Sequence, residues 1–138
     1  VNSDRVMKEA TPAKKAQQKL EKEFEKRDQD LQRIAKQLQG MQEALEKNSM
    51  TMGEGERRNK EREFNDLNRE FQRKQREFRE DLNQRRNEER AGVLERANKT
   101  IKQIAEADKY DIIFQEAVYA SPRIDITDKV IKALIEAK

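Results

Sequence analysis

The chain has 138 residues, of which 43% are charged and 33% hydrophobic, with 31 basic against 28 acidic side chains and a net charge of +3. That apolar share is thin for a compact globule and suits long helices with one buried seam and solvated outer faces. The chain has no His and no Cys, which excludes thiolate or imidazole zinc sites, thiol nucleophiles and imidazole acid–base chemistry.

Taken in chain order, Val1-Asn2 reads as the end of an extended segment entering a short helix capped around Ser3-Asp4. Thr11-Pro12 is a second start signal, because Thr caps and Pro is tolerated at the first helical position. From there Ala10, Ala13, Leu20, Phe24, Leu31, Ile34, Leu38, Met41 and Leu45 follow one three-then-four series. The series predicts a helix to about Lys47 with a narrow coiled-coil seam. Gly40 lies inside it, at a cost of about 1 kcal/mol against Ala.

The segment Ser49-Met50-Thr51-Met52-Gly53-Glu54-Gly55 breaks the pattern. Thr51-x-x-Glu54 has the form of a capping box, so a second helix is expected from Glu54 to about Ala107. Phe64, Leu67, Phe71 and Phe78 give it a matching seam. Two such seams joined by a short break predict an antiparallel hairpin. The heptad slips at Asp81-Leu82, and Asp81 to Arg90 is nearly all polar, which predicts solvent-facing helix there. Apolar spacing resumes at Val93, Leu94, Ala97, Ile101 and Ile104.

The C-terminal part differs in composition. Tyr110-Asp111-Ile112-Ile113-Phe114 and Ala117-Val118-Tyr119-Ala120 are β-branched and aromatic runs that predict two short strands. Gln115-Glu116 between them is not a favoured turn pair. Asp125-Ile126-Thr127-Asp128 starts a last helix, with Val130, Ile131, Leu134 and Ile135 as its apolar face. Two short strands cannot complete a sheet alone, so oligomerisation through this end is expected, with Ile112, Phe114, Val118 and Tyr119 as contact residues. The expected organisation is 1–11 as a strand end and short helix, 12–107 as the hairpin, and 108–138 as strands and helix of an oligomer body. Within the hairpin the tip falls near 48–55 and a neck near 81–92.

No catalytic constellation is present. Gly53-x-Gly55 lacks the remainder of a phosphate-binding loop, so neither an enzyme nor a cofactor is expected. Met50 and Met52 at the tip offer adaptable apolar contact with irregular surfaces. Arg57, Arg58 and Lys60 near the tip, with Arg73, Arg76 and Arg79 further along, are candidates for attracting acidic partners, although acidic neighbours interleave them. Arg85-Arg86 is a candidate contact for anionic lipid head groups or acidic partner segments, against the plainer reading as solvated helix surface. The near-balance of charge argues against specific nucleic-acid binding.

Several blocks carry a family resemblance. Gln84-Arg85-Arg86-Asn87-Glu88-Glu89-Arg90, Tyr110-Asp111-Ile112-Ile113, Ala117-Val118-Tyr119-Ala120 and Asp125-Ile126-Thr127-Asp128-Lys129-Val130 resemble the Skp/OmpH family of periplasmic chaperones, as does the opening Val1-Asn2-Ser3-Asp4-Arg5-Val6. The resemblance implies a mainly α fold: a long antiparallel helical hairpin, or coiled-coil tentacle, on a small β-containing trimerisation body. It implies a homotrimer in the periplasm with its signal peptide removed. Its implied role is an ATP-independent holdase for unfolded outer-membrane β-barrel proteins, with weak contact to anionic lipid or lipopolysaccharide as a further implication. Two other readings fit the seams: a structural coiled-coil scaffold or tether, and a prefoldin-like cytosolic chaperone.

Overall fold

The structure is a computed structural model, and it describes residues 1–136. Ala137 and Lys138, the last residues of the expected C-terminal segment, lie outside the described residues. Four helices follow in order: α1 (Ser3–Glu9), α2 (Thr11–Asn48), α3 (Glu54–Ala107) and α4 (Thr127–Glu136). The chain divides into two compact units, Lys22–Asn83, and Val1–Glu21 together with the chain from Gln84 onward.

In the unit Lys22–Asn83, α2 and α3 run antiparallel, because Phe24 faces Phe78 whereas Asp30, further along α2, faces Lys74. The expected seam forms. Phe24, Ile34 and Leu38 are buried, and Leu31, Met41, Leu45, Phe64, Leu67, Phe71 and Phe78 are half-buried. Phe24 and Phe78 meet edge to face, with ring centroids 5.6 Å apart and planes at 88°. This is a favoured arrangement of two ring quadrupoles.

Two seam steps are filled by cations. Arg27, between Phe24 and Leu31, is half-buried with its guanidinium 5.4 Å from the Phe24 centroid and 5.7 Å from that of Phe78. Lys74, between Phe71 and Phe78, is half-buried and bridges Asp30 at 3.5 Å and Glu70 at 3.4 Å. After Phe78 the next inward residue is Leu82, a step of four, while Asp81 is exposed.

The turn differs from the expected capping box. The Thr51 hydroxyl donates back to the Asn48 carbonyl at 3.1 Å, so it closes the end of α2 instead of capping α3. Gly53 starts α3, its carbonyl accepting from the Arg57 N–H at 2.9 Å.

In the other unit, α1 and α2 are separate helices. Pro12 cannot donate, and its ring would collide with the preceding turn of a continuous helix. Ala10 is accordingly extended, and its carbonyl accepts the first α2 bond, from Lys14 at 3.1 Å. Val6 and Ala10 pack with Ala97 and Ile104 of α3 and Val130 and Leu134 of α4. Val93 and Thr100 of α3 are also buried. Ile135, expected on the apolar face of α4, is exposed, because the face is set by Val130 and Leu134. The polar stretch of α3 expected to turn wholly to solvent keeps contact with α2: Glu89 is half-buried and lies 3.0 Å from Lys19. Burial there continues through Arg85, Glu89, Val93 and Ala97 in steps of four, so polar side chains carry the seam where the heptad lapses.

α3 ends with Lys109 in the left-handed region at φ 58°. The Tyr110 N–H then reaches the Ala105 carbonyl at 2.9 Å, satisfying a terminal group of the helix. Both expected strands, and the strand end at Val1-Asn2, are corrected here: among the described residues no strand forms. The physical reason is lack of partners. Gln115-Glu116 does not fold the two runs back on each other, and an extended segment without a neighbour has no ladder.

Candidate functional site

The turn between α2 and α3 is held by the carbonyl of Asn48, which accepts from the N–H groups of Thr51 and Met52 at 3.0 Å each and from the Thr51 hydroxyl. The Ser49 hydroxyl donates to the Glu46 carbonyl at 3.3 Å. These bonds tie down the backbone around Met50 while leaving its side chain 98% exposed. Met52 is half-buried.

Arg57 and Arg58 are not free charges. Arg58 lies 3.1 Å from Glu54, and Arg57 lies 3.7 Å from Glu61, each one helical turn away. Such exposed pairs are worth about 0–1 kcal/mol and exchange readily with other anions. Lys60, Arg73, Arg76 and Arg79 are exposed and have no ion pair among the described residues. Helical spacing sets Arg73 and Arg76 on the face of α3 away from Phe71 and Phe78. Arg62, which belongs by sequence to the same basic cluster near the tip as Arg57, Arg58 and Lys60, is exposed on that same face and lacks an ion pair among the described residues.

Arg85 and Arg86 behave differently from each other. Arg85 is half-buried and contacts Glu88 at 2.6 Å and Glu89 at 2.9 Å. Glu89 is held below the usual carboxylate range by hydrogen bonds from Lys19 and then Arg85. Glu88 is likewise lowered, first by Arg85 and then by Gln84. Arg85 is thus committed to carboxylates, whereas Arg86 is exposed.

The C-terminal residues expected to bind other copies are presented to solvent. Ile112 and Phe114 are 69% exposed, Tyr119 is 81% and Val118 is 111% exposed. Ile124 extends the same apolar run. The base of this segment is fixed to the unit's core. The N-terminal ammonium of Val1 donates to the Phe114 carbonyl at 2.9 Å, and the Asn2 N–H donates to the Thr127 hydroxyl at 2.8 Å. Thr127 is fully buried and bonds Asp125 through both its hydroxyl and its N–H. Those bonds hold the Asp125 carboxyl below its usual range. Arg5 of α1 adds an ion pair to Asp128 at 2.8 Å.

Among the described residues no group of acidic side chains could hold a metal ion, and no helix is long and apolar enough to cross a membrane. What the surface offers chemically is contact: one projecting thioether, several cations with no carboxylate partner among the described residues, and a row of exposed apolar side chains. The family model described as "Outer membrane protein (OmpH-like)" matches residues 1–134. No curated protein matches the chain.

Proposed function

The chain belongs to the OmpH-like family, whose chaperones are non-enzymatic and act on outer-membrane proteins, and from that membership we propose that this protein is an ATP-independent holdase for unfolded outer-membrane β-barrels in the periplasm. The match along residues 1–134 supports this reading over the prefoldin-like and simple scaffold readings.

In this reading three copies assemble through their C-terminal segments. Ile112, Phe114, Val118 and Tyr119, exposed in the single chain, pack against neighbours, and the extended backbone around them gains the ladder partners it lacks. The three hairpins then enclose a cavity. Three chains at +3 carry +9 in sum, which raises the local concentration of acidic client segments. Met50, Met52, Arg57, Arg58, Lys60, Arg73, Arg76 and Arg79 supply weak contacts, and affinity arises from their number. Arg85 and Arg86 add contact to anionic lipid or lipopolysaccharide, Arg86 by direct exposure and Arg85 by exchange of its carboxylate partners.

The observation that best supports this reading is the pairing of an exposed apolar segment suited to self-assembly with a separate surface of weakly engaged cations. A urea-unfolded outer-membrane barrel carrying a fluorophore, diluted into the protein, should show raised anisotropy that weakens as salt increases. Unchanged anisotropy at micromolar trimer would overturn the proposal.

A further inference from the structure

Met50 is the one methionine whose side chain is almost wholly in solvent, at 98% exposure, whereas Met7, Met41 and Met52 are each half-buried. An exposed Met in a disordered tail would be unremarkable. This one sits on a turn whose backbone is pinned by three bonds to the Asn48 carbonyl and one from Ser49 to Glu46. The turn therefore presents the thioether persistently, with no packed side chain to shield the sulfur.

We infer that Met50 is an oxidation site of this chain, modified by two-electron oxidants such as hydrogen peroxide, and that its sulfoxide weakens the tip's hold on clients. In the reaction a sulfur lone pair attacks one peroxide oxygen and the O–O bond breaks. The S–O bond forms, and the departing hydroxide takes the remaining proton to leave as water. Sulfur is oxidised by two electrons and the peroxide is reduced. The product is a polar sulfoxide in place of a flexible apolar group, so the adaptable contact that Met50 offers is lost. Met52, half-buried two residues away, keeps part of that contact. The effect is a graded weakening, not an abolition.

The effect on clients rests on the proposed reading of the tip as a client contact; the site of modification does not. The test treats the intact protein with hydrogen peroxide and follows each methionine by peptide mass spectrometry. Met50 should oxidise at least about fivefold faster than Met7 or Met41, following exposure. Equal rates, or faster reaction at Met41, overturn the site. The same samples are then assayed for binding of an unfolded outer-membrane barrel. Oxidised protein should bind about two- to fivefold more weakly, and Met50→Leu, whatever its starting affinity, should show no such loss on peroxide treatment. Unchanged binding after full Met50 oxidation overturns the coupling while leaving the holdase reading intact. Absence of binding in untreated protein sinks the holdase reading and the coupling together, and the rate comparison alone then decides the site.

Discussion

The guanidinium of Arg27 lies 2.9 Å from the carboxylate of Asp81 and stacks over the rings of Phe24 and Phe78, which also touch each other. Arg27 thus occupies an apolar seam position, and Asp81, the residue at which the heptad lapses, is its counter-ion. A polar seam pair of this kind stabilises less than a hydrophobic one and favours one register over its neighbours. Sliding α3 by a single residue would lose the aromatic stack and the ion pair together.

Replacing Arg27 with Ala removes two cation–π contacts and the ion pair, and should destabilise the Lys22–Asn83 unit by about 1–2 kcal/mol. Asp81→Ala, losing only a half-exposed pair, should cost about 0–1 kcal/mol. Thermal melts followed by circular dichroism decide the order. An Asp81 effect as large as that of Arg27 would contradict the stacking account.

Lys109 holds a left-handed conformation at the end of α3 with φ 58°. Glycine adopts that region without steric cost. Lys109→Gly is expected to stabilise the chain by about 0.5–1 kcal/mol in spite of the greater freedom of unfolded glycine. A lowered midpoint in denaturant titration would show that the side chain matters more than the backbone strain.

Thr127 is fully buried and accepts from the Asn2 N–H while bonding Asp125. Thr127→Val keeps the shape and leaves the Asn2 donor without its partner, so a loss of about 1–3 kcal/mol is expected. Thr127→Ser retains the hydroxyl and should lose less. A larger loss in Thr127→Ser than in Thr127→Val would assign the effect to packing of the methyl group instead.

Asp125 is held below its ordinary value of 3.8 by Thr127, and Glu89 below 4.5 by Lys19 and then Arg85. Lowered folded-state values mean that these contacts stabilise the protein above the ordinary carboxylate range and are lost as pH falls through and below it. Lys129, raised above 10.5 by its bond to Asp108, contributes below that value and is lost as pH rises beyond it. With no histidine, melting temperature should be nearly flat between about pH 5 and 8, and should fall as pH drops through and below the carboxylate range and again as it rises beyond 10.5. Asp125→Asn should reduce the acid-side fall, and a steep change near neutrality would contradict this assignment.

Much of the helical architecture was legible because it rests on local periodicity. Leu20, Phe24, Ile34 and Leu38 recur at coiled-coil spacing, and each is buried. The cations in the seam were not legible. A hydrophobic pattern skips Arg27 and Lys74 as interruptions, and only the three-dimensional approach of Phe78, Asp81 and Asp30 shows why cations stand there. The strands failed for a related reason. Ile112, Phe114, Val118 and Tyr119 have β-forming composition, but a strand is a property of a pair, and the single chain supplies no neighbour. The placement of Met50 at a turn was readable from the Gly-bearing break, whereas the return of the Thr51 hydroxyl to Asn48 was not, since Thr51-x-x-Glu54 fits a capping box equally well.

The holdase account is tested most directly by aggregation of its proposed client. A urea-denatured outer-membrane barrel protein is diluted into buffer, and light scattering is followed with and without this chain. The account predicts that scattering is suppressed at one trimer per client without ATP, and that suppression weakens with added salt. Scattering that rises unchanged at stoichiometric trimer would contradict it.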